Sequence, residues 1–141
     1  MRRLLAPLAV VALLVATGCG EEKTVLAPAC TDSAEAIVTA LEKAPGPVTL
    51  GDGTTLSRCV DQARSDVELQ SLGMVLTSAA EQLAEQRRMV ALGYLVGAAR
   101  RGAEHNGGVG TELVRRLEGT GRLVGDGPDL RRGLRAGNAS G

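Results

Sequence analysis

Met89-Val90-Ala91-Leu92-Gly93-Tyr94-Leu95-Val96-Gly97-Ala98-Ala99 is apolar on every side, with Arg87-Arg88 before it and Arg100-Arg101 after it. Eleven apolar residues between two Arg doublets are too few to span a bilayer, which takes ~20. The segment therefore reads as the central core helix of a small bundle. Gly93-x-x-x-Gly97 gives it a small face that a neighbour can approach closely, and the same face could instead form a dimer seam. A buried central helix makes the chain mostly α.

Upstream, Leu69, Leu72, Leu76, Ala79 and Leu83 step by three and four residues, an amphipathic stripe. No Gly-Pro breaker separates this stripe from the apolar segment, so local signals permit one helix over residues 66–103. Such a helix would be ~57 Å long, about twice the width of a domain of this size, so a reversal is expected within Glu85–Met89. Earlier still, Asp32-x-x-Glu35 resembles a capping box and opens a helix whose apolar residues are Ala34, Ile37, Val38, Leu41 and Ala44. Pro45-Gly46-Pro47 ends it. Val48-Thr49-Leu50 and Thr54-Thr55-Leu56 around Gly51-Asp52-Gly53 read as a short β-hairpin. The Gly-Asp-Gly is a turn rather than a calcium loop, because the alternating ligands and closing Glu of an EF-hand are missing. Ser57 caps the turn that carries Cys59. Downstream, His105-Asn106-Gly107-Gly108 stops the central helix, and Thr111 opens a last short one with Leu113, Val114 and Leu117 inward. Residues 119–141 hold seven Gly, Pro128 and four Arg without a sustained period, and read as a flexible tail. The expectation is a bundle of about four helices with a β-hairpin over residues 30–118.

Composition narrows the function. The chain has 141 residues, 16 basic and 16 acidic, and one aromatic residue, Tyr94, beside 19 Gly. Neutrality argues against a nucleic-acid partner. With no Phe or Trp there is no stacking platform and no aromatic cage.

The first residues carry an address. Met1-Arg2-Arg3, an apolar run from Leu4 to Val15 and small residues up to Gly18 have the layout of an export signal. Val15-Ala16-Thr17-Gly18-Cys19 resembles the lipobox of bacterial lipoproteins, with Ala16 where Leu is commonest. That resemblance covers residues 1–20 alone. It implies cleavage before Cys19, a diacylglyceryl thioether on its sulfur and often an acylated (palmitate-type) amine, placing the chain outside the cytoplasm. Gly20, rather than Asp, implies export to the outer membrane in a cell that has one, and otherwise the outer face of the cytoplasmic membrane. The alternative is an ordinary secretory signal that leaves Cys19 a free thiol. Two or more acyl chains anchor stably where one anchors marginally.

Without residues 1–18, the remaining 123 residues split into an acidic first part, −7 over residues 19–86, and a basic second part, +5 over residues 87–141. Residues 19–29 form the lipidated Cys and a tether. An exported chain with two further cysteines, Cys30 and Cys59, points to a disulfide, against which stand free thiols and a metal site with His105. Four Arg doublets, Arg87-Arg88, Arg100-Arg101, Arg115-Arg116 and Arg131-Arg132, are candidates for a polyanion surface. The first three also fall where cations stabilise helix C-termini, and they can pair with the acidic part. No G-x-S-x-G, H-E-x-x-H or Gly-rich phosphate loop is present, so no catalytic, metal or cofactor residue is assigned. The function expected is an anchored envelope-accessory or binding module with a protein partner. A small apolar-ligand or lipid carrier is the alternative, and an enzyme comes third.

Overall fold

The computed structural model describes residues 25–106 and 108–141, so the expected export signal, Cys19 and the expected tether up to residue 24 lie outside it. Six α-helices make up the described residues: α1 (Ala34–Ala40), α2 (Leu56–Gln62), α3 (Asp66–Glu85), α4 (Met89–His105), α5 (Thr111–Val124) and α6 (Pro128–Ser140). Short 3-10 turns at Pro28–Cys30 and Leu41–Lys43 flank α1.

As the apolar segment dictates, α4 is the core: all residues from Ala91 to Ala99 are buried. Helix α3 precedes it as a separate helix. The reversal comes at Gln86–Arg88, where Arg87 takes a φ of 56° and the Arg88 backbone N–H returns to Leu83 O at 2.9 Å. Ser65 and Glu68 close a full capping box at the start of α3. Helix α1 begins one residue later than the sequence suggests. Ser33 caps it by accepting from the Ala36 N–H at 3.1 Å, while Glu35 accepts from Gln82 Nε2 of α3 at 3.2 Å. Cys30 and Cys59 are joined, with Cα atoms 5.5 Å apart, tying the start of the domain to α2.

The expected β-hairpin is absent, and the described residues contain no strand. Its turn is real: the Leu50 N–H donates to Thr54 O at 2.8 Å, and the Asp52 carboxylate accepts from the Thr54 N–H at 2.9 Å. The two would-be strands are claimed by other partners. The Val48 N–H donates to the Tyr94 hydroxyl at 3.1 Å, and Thr55 caps α2, drawing Leu56 into a helix. Val48 and Leu50 still bury their side chains, as the apolar pattern required.

The larger correction concerns residues 119–141. Gly119 does not end α5, which runs on to Val124, and α6 follows after Gly125-Asp126-Gly127. Helix α6 packs parallel to α4 through glycines from both sides. A Cβ on Gly93 would overlap Leu130 O and one on Gly97 would overlap Leu134 O. Equally, a Cβ on Gly133 would overlap Val90 O and one on Gly137 would overlap Tyr94 O. The Gly93-x-x-x-Gly97 face is thus an intrachain seam. Gly102 does the same for α2, since its Cβ would overlap Ser57 O.

Candidate functional site

Tyr94 sits fully buried where three segments meet. Its hydroxyl oxygen accepts from Val48 and lies 3.2 Å from Ser140 Oγ. Ser140 uses its own proton on Ala136 O at 3.0 Å, so the Tyr94 O–H donates to Ser140. Both capacities of the phenol are spent on holding the fold. Asn106 plays the same role at the other end of α4, donating to Val60 O at 3.0 Å and accepting from the Gly110 N–H at 3.1 Å. The Ser57 hydroxyl donates to Gly141 O.

The candidate polyanion surface is dispersed by the fold. Arg88 donates to Val38 O, and Arg87 occupies the reversal itself. On α4, Arg100 turns to α5 and pairs with Glu118 at 2.7 Å. Its neighbour Arg101 turns to α6 and donates to Asn138 O at 3.0 Å and Ala139 O at 2.6 Å. Arg115 and Arg116 both pair with Glu112. Arg131 and Arg132 pair with Asp126 and Asp129. The doublets therefore serve four separate places. None of the first three caps the helix in which it was expected, although Arg101 caps the carbonyl end of α6, a helix the sequence did not suggest.

Several clefts mark the surface of the described residues, among them the following two. Between α4, α5 and α6 lies a cleft of about 150 Å³ with Val96, Gly121, Leu130 and Leu134 in its floor. Arg100, Glu118, Arg122 and Asp126 form its rim, and Glu118 pairs with both Arg100 and Arg122. Ligand pockets commonly run to ~300–1,000 Å³, so this one is small. A wider, open groove of about 950 Å³ runs beside α1, from Pro28 and Ala29 to Leu50 and Asp52. Neither lining includes a Ser, Cys or His that could act as a nucleophile or base.

Among the described residues, the carboxyls of Asp52 and Glu68 are held below their ordinary range, and hydrogen bonding causes both shifts. The Thr54 backbone N–H holds Asp52 low, and the Ser65 and Arg64 backbone N–H groups hold Glu68 low. These are structural positions, a turn and a helix cap. His105 is exposed at the end of α4, with Nδ1 3.0 Å from Arg101 O, and the two cysteines considered as its partners in a metal site are bonded to each other.

The fold defines the class: an all-helical, disulfide-stapled bundle with its central helix packed through glycine. No family model, no curated protein and no solved structure matches the chain.

Proposed function

We propose that the chain is a membrane-anchored lipoprotein whose helical domain works outside the cytoplasm as a binding or envelope-accessory module. The observation that carries the reading is Cys19 directly behind Val15-Ala16-Thr17-Gly18. The Cys30–Cys59 disulfide supports the same address, because such bonds persist in oxidising compartments. No helix of the described residues is long and apolar enough to cross a membrane. A protein partner fits a domain whose clefts are small or open and whose Arg doublets are largely engaged in ion pairs and carbonyl contacts within the fold. The carrier alternative has weaker footing, because the apolar-floored cleft between α4, α5 and α6 is only about 150 Å³.

Intact mass measured on protein extracted from native membranes tests the anchor. A chain starting at Cys19 with diacylglyceryl and acyl additions is expected, and Cys19→Ala should release the protein. An unmodified Cys19, or a Cys19→Ala protein still in the membrane, overturns the reading. Crosslinking in native cells then identifies the partner, and native mass spectrometry checks the carrier alternative through copurifying lipid.

A further inference from the structure

Large apolar side chains are exposed at five described positions: Val25, Val67, Met74, Val109 and Leu123. Four of them gather around the N-terminal half of α3. Val67 and Met74 are two turns apart and so share one stripe; they are 73% and 65% exposed. That stripe points directly away from Leu72, Leu76 and Leu83, the buried side of the same helix. On one flank the Leu26 backbone N–H lies near enough to Glu68 to help lower its carboxyl, which places Val25 beside the start of α3. On the other, Val109 shares a groove with Asp66, Leu69 and Gly73. Leu123 is the outlier, near the end of α5 and about 15 Å along the helix axis beyond Leu113.

The chain enters the domain at this face. Val25 follows Cys19 by six residues, so the anchor lies at most ~22 Å away. A domain of this size is ~35 Å across. A tether shorter than the domain's width holds the entry face toward the bilayer and keeps the opposite face from reaching it.

We propose that Val67, Met74 and Val109, around the entry of Val25, seat in the headgroup layer of the membrane, making this face the membrane-facing surface. The proposal rests on the reading of Cys19 as the lipid-bearing residue. The charges around the face are mixed: Arg64 pairs with Asp61, Arg115 and Arg116 pair with Glu112, and Asp66 and Glu68 flank Val67. Contact is therefore made by apolar side chains, as in interfacial helices, without a requirement for anionic lipid.

The chain contains no Trp, so one introduced Trp reports alone. Val67→Trp, Met74→Trp and, as a control, Leu123→Trp keep the substitution on the surface. The chain from Cys19 onward is coupled through its Cys19 thiol to maleimide-headed lipid, in phosphatidylcholine–phosphatidylglycerol vesicles containing lipid brominated near the carbonyl end of its acyl chains. Quenching of V67W and M74W about twofold or more above L123W is expected, and it should persist when phosphatidylglycerol is replaced by phosphatidylcholine. Equal quenching at the three positions, or quenching lost with the anionic lipid, overturns the proposal. The synthetic link separates the two readings: an unmodified Cys19 in native membranes defeats the anchor, whereas equal quenching in the vesicles defeats the face.

Discussion

Gly73 of α3 and the glycines of α4 and α6 are the same residue in the same kind of helix, yet they stand in opposite surroundings. A Cβ at Gly73 would meet only Leu113 Cδ1, at 3.9 Å, an ordinary contact. A Cβ at Gly93, Gly97, Gly133 or Gly137 would run into a backbone carbonyl of the facing helix. Helix α3 is held by side chains: Leu72, Leu76, Ala79, Ala80 and Leu83 are buried, and Ser65 and Glu68 cap its start. Helix α6 contributes only Leu130, Leu134 and Ala136 as partly buried apolar side chains and is held mainly by closeness of backbone. Burial of apolar area works at any reasonable separation, but glycine packing works only at one. The lesson is that a glycine-rich stretch with little helix propensity can still be a helix where another glycine face receives it.

Changing the seam should have the largest effect. Gly133→Leu forces a side chain into the α4 backbone and should destabilise by more than ~3 kcal/mol, at or beyond the usual range for overpacking. Undocking of α6 would show as proteolytic cleavage near Gly125–Gly127 and loss of helical circular dichroism, and an unchanged melting temperature would mean that the seam is not tight. Opening the staple on the other side, with Cys30→Ser and Cys59→Ser together, removes a loop constraint of about 3.6 kcal/mol in the chain-entropy treatment; urea denaturation checks it. Tyr94→Phe tests the point where the two regions are joined. It leaves the buried Val48 N–H without its acceptor and should cost about 1–3 kcal/mol, read by denaturation and by faster amide exchange at Val48.

Gly73→Ala should have the opposite sign. With room for the methyl, it should stabilise by about 0.5–1 kcal/mol through helix propensity, while the same change at Gly133 destabilises. Calorimetry of the two single variants measures the comparison directly. The smallest effect is on pH. Asp52 and Glu68 have folded pKa values below the ordinary carboxylate range, so their stabilisation is complete above that range and is lost as pH falls through it toward the lower folded values. Both lie at the surface, Asp52 exposed and Glu68 half-buried, so the loss should appear as local fraying: faster exchange at Thr54 and Glu68 in acid while the core amides stay protected.

Much of the first part of the fold was legible because side-chain periodicity reports burial. The stripe from Leu69 to Leu83, the all-round apolar α4 and the reversal beside Arg87 all follow from apolar spacing and chain length. The hairpin was misread because Val48 and Thr55 each had two satisfactory backbone partners. Position in space, through Tyr94 and the start of α2, chose between them. Residues 128–140 were misread for another reason: their helix has no broad apolar stripe to announce it. The usable signal was the spacing of Gly133-x-x-x-Gly137, which repeats that of Gly93-x-x-x-Gly97 about forty residues earlier. For the candidate site, the disulfide pair was legible from cysteine number and the expectation of export. The fate of the Arg doublets was not, because adjacent residues on a helix point about 100° apart, sending Arg100 to α5 and Arg101 to α6.

By itself, the sequence determined that this chain is helical, that its core is the segment from Ala91 to Ala99, and that Cys30 and Cys59 form a pair. These depend on local spacing and residue chemistry, which a linear string records. Tertiary structure decided that the glycine face of α4 is covered by α6, that the doublets are separated, and that Val67, Met74 and Val109 stay exposed. Those outcomes depend on the distance between backbones and on the direction of side chains, quantities that exist only once the helices are packed.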